Sequence, residues 1–219
     1  MGLTARVTGG GSFKPLPPGM HLARCYRIID LGTQKVEWKG AVKLQPKVLV
    51  QWEVHGDDEE GNPLVTDKGD PLSISKTYTL SLGDNSRLRA DLKSWRGRDF
   101  TAEEMAGFHL RNILDKWCML TVTHTSGDEG KTFANVSSVN PVPSHLRKAG
   151  LPEGINEARF FDLDNPDMAL FDTFGDKLRA KIQAAPEWPK NRSPAERYQQ
   201  EQNQSAQSLA DMDDDLIPF

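Results

Sequence analysis

The chain has 219 residues, of which 37% are hydrophobic and 26% charged, and its formal net charge is −4 at pH 7. No apolar run approaches the roughly 18 residues that a membrane helix needs, and the N-terminus lacks the apolar stretch of a signal peptide. These features argue against a helical membrane protein and predict a soluble cytosolic one. Cys25 and Cys118 lie in apolar, strand-like runs, which predicts reduced core residues rather than a disulfide.

The charge is distributed unevenly along the chain. Residues 1–150 contain 20 Lys and Arg against 17 Asp and Glu, a net of +3, whereas residues 151–219 contain 7 against 14, a net of −7. The body is therefore mildly basic and the tail acidic. This asymmetry lets the tail compete with an anionic ligand for the body, an effect that salt would screen.

The first part of the chain is predicted to be strands that follow a flexible arm. Residues 1–20 are rich in Gly and Pro, which predicts the arm. Alternation of apolar and polar residues predicts strands in this order: residues 21–31, with an end or bend at Gly32; residues 33–38; residues 47–55; and residues 71–82. Lys39 and Gly40 supply a turn.

The period changes to helical after Asp84. Apolar residues then recur at i, i+4 and i+7, which predicts an amphipathic helix: Leu88, Leu92 and Trp95. Residues 101–104 read Thr-Ala-Glu-Glu, the form of a capping box that begins a second short helix. Strands return at residues 117–124 and 131–140, which form a predicted hairpin.

This order of elements predicts a mainly β core domain over residues 21–143. Strands, then a helix, then two more strands is the order of the OB-fold, a five-stranded Greek-key barrel with a helix between strands 3 and 4. The OB-fold binds oligonucleotides across one face of its barrel. Small barrels of other kinds and an α+β sandwich fit the same order.

Residues 144–185 are predicted to form a helical extension. Apolar residues at helical spacing, with a break at Gly175, form a stripe that needs a surface to cover: Leu170, Phe171, Phe174, Leu178 and Ile182. The stripe packs on the barrel or, alternatively, forms a homodimer contact. Residues 186–210 have few large apolar groups and are predicted to be a disordered linker, which as a random coil would span about 25–30 Å.

Residues 211–219 read DMDDDLIPF. Acidic residues next to apolar ones suit a partner pocket that holds an aromatic ring and surrounds it with Lys or Arg; a solubilising acidic tail is the alternative. The segment resembles the C-terminal tip of bacterial single-stranded DNA-binding proteins, in which aspartates precede a final Ile-Pro-Phe, although Leu216 is an extra residue here. The resemblance implies recruitment of replication, recombination and repair proteins through Asp213, Asp214, Asp215, Ile217, Pro218 and Phe219.

A second resemblance covers most of the chain, from about residue 2 to about residue 182. The segments CYRIIDLGTQ, KVLVQWEV, SISKTYTLSL, LKSWRGRDFTAEEMAGFHLRNIL and GKTFANVSSVNPVP are similar to a family of bacteriophage single-stranded DNA-binding proteins. This likeness implies an OB-fold core and a role in phage DNA replication or recombination. The expected location is the cytoplasm of the host bacterial cell.

Single-strand binding without sequence preference needs aromatic faces for stacking and cations along the backbone path. Positions where a basic residue lies near an aromatic one give the candidate DNA-binding set: Trp38, Lys39, Lys43, Lys47, Lys76, Tyr78, Arg87, Lys131 and Phe133. The alternative is that Tyr78 and Phe133 point into the barrel while Lys76 lies at its rim. The remaining large aromatics are assigned to the core: Trp52, Trp95 and Trp117.

No sequence motif predicts catalysis, a metal site or a cofactor. The chain has no HExxH or zinc-type spacing, no phosphate-binding glycine loop and no GxSxG elbow. We therefore expect a non-enzymatic protein whose partners are single-stranded DNA and, through the tip, replication proteins. Two alternatives are a protein-interaction adaptor with little DNA affinity and a metal-dependent nuclease whose carboxylates the sequence does not identify.

Overall fold

The computed structural model describes residues 15–38, 40–127 and 131–188. Its strands are β1 (Gly19–Trp38), β2 (Ala41–His55), β3 (Ser73–Thr79), β4 (Trp117–Ser126), β5 (Thr132–Asn140) and β6 (Arg159–Phe161). Its helices are α1 (Arg87–Arg96), α2 (Ala102–Ala106), α3 (Ser144–Ala149), α4 (Met168–Asp172) and α5 (Asp176–Gln183), with a short 3-10 helix at Leu110–Ile113. The predicted linker from residue 189 onwards and the tip lie outside the described residues.

The prediction of a mainly β fold is confirmed. The strands form one sheet in the order β3-β2-β1-β4-β5, in which all neighbours are antiparallel, and β6 pairs with β1 in parallel. The helical segment with α1 and α2 lies between β3 and β4 along the chain. The outer strands β3 and β5 approach each other, although no backbone ladder joins them in the described part of the chain.

Strand β1 is one continuous strand of 20 residues, not the two strands predicted on either side of Gly32. Its register against β2 shifts between Cys25 and Arg27 and again between Asp30 and Gly32. Gly32 has a φ of 62°, a backbone conformation that favours glycine. These bulges bend β1, which pairs with β4 over residues 19–24 and with β2 over residues 22–38.

The inner face of the sheet forms the core together with α1. The predicted alternation along β2 is confirmed, because one set of its side chains is buried: Val48, Val50, Trp52 and Val54. The predicted helical stripe is also buried: Leu88, Leu92 and Trp95. Cys25 and Cys118 are buried free thiols, as predicted, and burial raises the pKa of each. Two large rings meet in this core, with Trp52 and Trp95 centroids 6.2 Å apart.

Local helix signals in the sequence are confirmed in the structure. Ser86 caps α1, Gly97 ends it with a φ of 67°, and Thr101 forms the predicted capping box with Glu104. The predicted break at Gly175 separates α4 from α5. The flexible arm was predicted to reach residue 20, but the folded part of the chain begins earlier. Leu16 is already buried, and its carbonyl oxygen lies 2.8 Å from Nε2 of His124.

The segment after β5 packs on the sheet through a buried carboxylate. Glu53 on β2 accepts hydrogen bonds from the Arg24 guanidinium (2.8 Å) and from the backbone N–H groups of Ile155 (3.0 Å) and Asn156 (2.7 Å). Gly154 is needed there, because a Cβ at this position would lie 2.0 Å from the Arg24 guanidinium carbon. The stripe considered for a homodimer is covered within the chain, since its largest members are buried: Leu170, Phe171, Phe174 and Ile182.

Candidate nucleic-acid interface

The clearest projecting feature is the end of the β1–β2 hairpin. Strand β4 pairs with β1 only over residues 19–24, β6 pairs with it over residues 27–29, and β3 pairs with β2 only from Lys47 onwards. Residues 32–38 and 41–47 therefore continue as a two-stranded β1–β2 ribbon, which pairs only with itself among the described ladders.

The register of the ribbon defines two faces, because residues directly opposite each other in an antiparallel pair share a face. Lys43 lies opposite Val36 and Lys47 opposite Gly32, so both lysines belong to one face, called here the lysine face. They are four residues apart on β2, or about 13 Å at 3.3 Å per residue. Trp38 is paired with Ala41 at the end of the ribbon. The side chain of Trp38 and the whole of Lys39 lie outside the described residues.

The lysines of this face are not neutralised by carboxylates within the described chain. Lys43 is exposed, and Lys47 Nζ donates to two neutral oxygens, Oε1 of Gln45 at 2.7 Å and Oγ1 of Thr79 at 2.8 Å. Burial and then the positive charge of Lys181 lower the pKa of Lys47. Lys181 lies on helix α5, which contacts the ribbon at this point. The carbonyl oxygen of Lys181 accepts a hydrogen bond from Gln34 Nε2 at 3.0 Å.

Lys181 is a residue that sequence reasoning missed. The predicted stripe on α5 placed Ile182 in the core, and Ile182 is indeed fully buried. The neighbouring Lys181 then lies on the solvent side of the helix. The apolar stripe predicts that Lys181 is exposed, but only the tertiary fold brings Lys181 close to Lys47.

Three predicted DNA-binding residues instead converge on a single carboxylate. Asp91 Oδ2 accepts from Lys76 Nζ at 2.6 Å and from the Tyr78 hydroxyl at 2.9 Å, and Asp91 Oδ1 lies 3.2 Å from Arg87 Nε. The Tyr78 ring belongs to the core and is only 4% exposed, so it offers no face for stacking. Burial, followed by the effect of Asp91, raises the pKa of Tyr78. We call these four residues the Asp91 cluster.

The Asp91 cluster joins elements of the fold. Lys76 and Tyr78 come from β3 and Asp91 from α1, and the Arg87 guanidinium also donates to the carbonyl oxygen of Ser137 on β5. Burial lowers the pKa of Lys76, although the hydrogen bond and charge of Asp91 oppose this effect. The cluster therefore connects the two outer strands through side chains.

The β4–β5 hairpin presents the remaining predicted pair. Phe133 is 53% exposed, so its ring is available at the surface. Its position depends on Gly127, since a Cβ on that residue would come within 2.4 Å of the ring, and Gly127 N donates to the Lys131 carbonyl oxygen at 2.8 Å. Lys131 is also exposed. This hairpin therefore carries an exposed aromatic residue and an exposed lysine two positions apart in the sequence.

Two further arginines, Arg96 at the end of α1 and Arg98 just after it, form ion pairs with Glu104. Glu104 Oε1 accepts from Arg98 at 2.7 Å and also from Arg96, whose guanidinium carbon lies 4.6 Å from the Phe100 ring centroid.

The described His, Cys, Asp and Glu side chains form no group of three or more that could hold a metal ion. No helix within the described ranges has the length and hydropathy needed to cross a membrane.

Comparison with known proteins adds no assignment. No protein-family model matches the chain, and a search of curated proteins finds no match either.

Proposed function

We propose that this protein is a non-enzymatic single-stranded DNA-binding protein with an OB-type barrel. The strand order, the bent first strand shared by β2 and β4, and the helical segment between the third and fourth strands support this fold assignment. In OB-folds, the loop between strands 1 and 2 and the loop between strands 4 and 5 contribute to oligonucleotide binding. These loops correspond here to the β1–β2 ribbon and the β4–β5 hairpin.

The observation that carries the proposal is the chemistry of these two hairpins. Lys43 and Lys47 lie on one ribbon face without a carboxylate partner in the described chain, and Phe133 is exposed on the other hairpin. Cations attract the phosphate backbone and an exposed ring stacks on bases whatever their sequence. The proposed interface consists of Lys43, Lys47, Lys181, Lys131 and Phe133, and two further candidates are Trp38, whose side chain lies outside the described residues, and Lys39.

The wider proposal concerns the biological setting. The protein coats single strands during phage DNA replication or recombination in the host cytoplasm. The tip residues Asp213–Asp215 and Ile217–Phe219, which lie outside the described residues, recruit replication proteins. No cofactor is needed for either role.

The test is fluorescence anisotropy of a labelled oligo-dT at low and moderate salt. The full chain, a truncation ending at Gln204 and the double variant Lys43→Ala/Lys47→Ala are compared, with Lys68→Ala in an exposed loop as the matched control. We expect binding by the full chain, tighter binding by the truncation at low salt, and at least fivefold weaker binding by the double variant. Absence of binding at low salt, or equal binding by all four proteins, would refute the assigned interface.

One observation favours the adaptor as a second candidate. The Asp91 cluster holds Lys76 and Tyr78 within the fold and pairs the exposed Arg87 with an acid, which leaves less unneutralised positive charge for a phosphate backbone. An adaptor would bind replication proteins through its tip and show no affinity for oligo-dT. A pull-down with full-length and Gln204-truncated protein, run beside the anisotropy assay, distinguishes the two functions.

A further inference from the structure

The reverse face of the β1–β2 ribbon has a composition that neither the core nor the lysine face explains. Its register pairs Lys35 with Leu44 and Glu37 with Val42. Val42 is 66% exposed and Leu44 63% exposed, although both are large apolar residues on a regular strand. Lys35 and Glu37 are exposed as well, and neither makes an ion pair within the described residues.

An isolated two-stranded ribbon is at best marginally stable in water and normally packs against a further layer. Strands β4 and β6 pair with β1 before the ribbon begins, and β3 pairs with β2 only at its base. Within the described chain, the reverse face therefore carries two exposed apolar residues with no layer over them. A partner that covers this face would bury both residues and stabilise the ribbon.

We propose that the reverse face is a self-association surface whose partner is a second copy of this chain. A two-fold axis in the interface plane, crossing the ribbon at the level of Val36 and Lys43, stacks β1 on the partner's β1 in the opposite direction. Lys35 then faces the partner's Glu37, and Glu37 faces the partner's Lys35. Leu44 and Val42 meet in the same reciprocal way.

The pattern is self-complementary, as a two-fold interface requires, because residue i contacts residue j and j contacts i. Lys35 and Glu37 satisfy that condition because they carry opposite charges two residues apart on β1. Val42 and Leu44 satisfy it as two apolar residues at the paired positions of β2. A DNA backbone would be attracted by Lys35 but repelled by Glu37, and it would leave Val42 and Leu44 without a stacking partner. Charge complementarity therefore favours a second copy over nucleic acid on this face.

The contact is small. It involves about two cross-strand pairs from each chain, well below the roughly 800 Å² per partner of a stable complex. We therefore expect a weak, reversible dimer. Because the lysine face points the other way, the dimer does not cover Lys43 or Lys47, and the inference does not depend on the proposed function.

Sedimentation equilibrium of the full chain, from low micromolar to near-millimolar concentration without DNA, tests the proposal. Lys35→Glu alone and Glu37→Lys alone place like charges opposite each other at two symmetry-related positions, so each should weaken the dimer at least tenfold. The double variant Lys35→Glu/Glu37→Lys restores every pair with reversed polarity and should recover wild-type association. Leu44→Ser, which keeps the charges but removes the apolar contact, should also weaken the dimer.

Circular dichroism confirms that the variants, which change exposed positions only, remain folded. A protein that is monomeric at every concentration overturns the proposal. So does association that none of the four variants alters, because edge-to-edge strand pairing would be insensitive to these charges. A double variant as weak as the single ones would show that Lys35 and Glu37 do not face each other across an axis.

Discussion

The lysine face of the ribbon and the Asp91 cluster contain the same kinds of residue in two different electrostatic environments. Lys47 on the ribbon donates to an amide oxygen and a hydroxyl, whereas Lys76 in the cluster donates to a carboxylate. Phe133 lies exposed on one hairpin, whereas Tyr78 is buried and hydrogen-bonded to the same carboxylate as Lys76. A basic residue near an aromatic one therefore defines a ligand site only where no acid of the fold has already neutralised it.

The difference between the two regions comes from α1. That helix contributes one buried acid, Asp91, and a buried unpaired charge is costly, so cations must reach it. Lys76 and Arg87 satisfy this requirement and stabilise the fold. Within the described residues of the ribbon, Lys47 donates to neutral oxygens, and neither Lys43 nor Lys47 pairs with a carboxylate.

The largest expected effect is that of removing the carboxylate from the cluster. Asp91→Ala leaves the partly buried Lys76 without its acid and the Tyr78 hydroxyl without its acceptor. We expect the free energy of unfolding to fall by about 3–5 kcal/mol, measured by urea denaturation at pH 7. Oligo-dT affinity of the fraction that remains folded should be unchanged.

The control for this prediction is the double variant Lys76→Met/Asp91→Leu. It replaces the charged pair with apolar groups and should recover most of the lost stability, because a buried ion pair can be exchanged for packing at little cost. If Asp91→Ala were as stable as the wild type, the cluster would not hold β3 to α1, and Lys76 would return to the candidate DNA-binding set.

Glu53 is a second buried carboxylate that partners within the fold stabilise in its ionised form. Protein stability should therefore depend on pH through this group. Burial opposes its ionisation, but hydrogen bonds from Arg24, His55 and Asn156 outweigh burial and lower the pKa of Glu53 from 4.5 to about 2. The ionised form is thus favoured by folding. Stability from this group is fully present above pH 4.5 and is lost as the pH falls towards 2, by about 3 kcal/mol in total from 1.36 kcal/mol per pKa unit.

Urea denaturation at a series of pH values measures this loss, with Glu53→Gln as the matched variant. The variant should be less stable at pH 7 and should show a much shallower decline between pH 4.5 and pH 2. An unchanged acid limb in Glu53→Gln would assign the pH dependence to other carboxylates.

The sequence predicted the elements better than it predicted which residues would be free to bind. Alternation located the strands, but it labels two faces without saying which one is inside. On β3, Ile74 shares a face with Lys76 and Tyr78, and the structure shows that this is the inner face, because Ile74 and Tyr78 are buried. Asp91 lies within the apolar stripe of α1, three residues after Leu88, which signals a buried acid in need of a cation.

Other features could not be read from local pattern. The continuity of β1 through Gly32 depends on its pairing with β2 on both sides of that residue, and such pairing is a long-range property. The proximity of Lys181 to Lys47 likewise depends on where α5 packs. The sequence grouped Lys43 and Lys47 with Trp38, but it did not predict that β2 begins at Ala41 or that α5 brings Lys181 to the lysine face.

Phe133 and Tyr78, one exposed and one buried, give a matched pair of substitutions. Phe133→Ala should weaken oligo-dT binding by about 1–3 kcal/mol, the usual contribution of a base stacked on a ring, with little change in stability because Phe133 is exposed. Tyr78→Phe removes one hydrogen bond to Asp91 and should lower stability by about 1 kcal/mol without changing DNA affinity. Anisotropy and urea denaturation of both variants measure the two effects.

The result expected for this pair is a crossed pattern, in which each variant alters one property only. Loss of DNA affinity in Tyr78→Phe would mean that β3 contributes to the interface after all. Gly127→Ala serves as an additional check, because its new Cβ must displace the Phe133 ring. It should reproduce part of the binding defect of Phe133→Ala while the ring itself is still present.

The smallest expected effect is that of Lys181, the cation that only tertiary packing brings to the lysine face. Its charge contributes to lowering the pKa of Lys47, so the two ammonium groups repel each other until an anion lies between them. Binding of a phosphate there releases counterions, and Lys181→Ala should reduce the slope of log K against log salt by about 0.7, the value for one single-strand phosphate. Lys148→Ala, an exposed lysine on α3, should leave the slope unchanged. If both variants keep the wild-type slope, the path of the DNA backbone stays on the ribbon and does not reach α5.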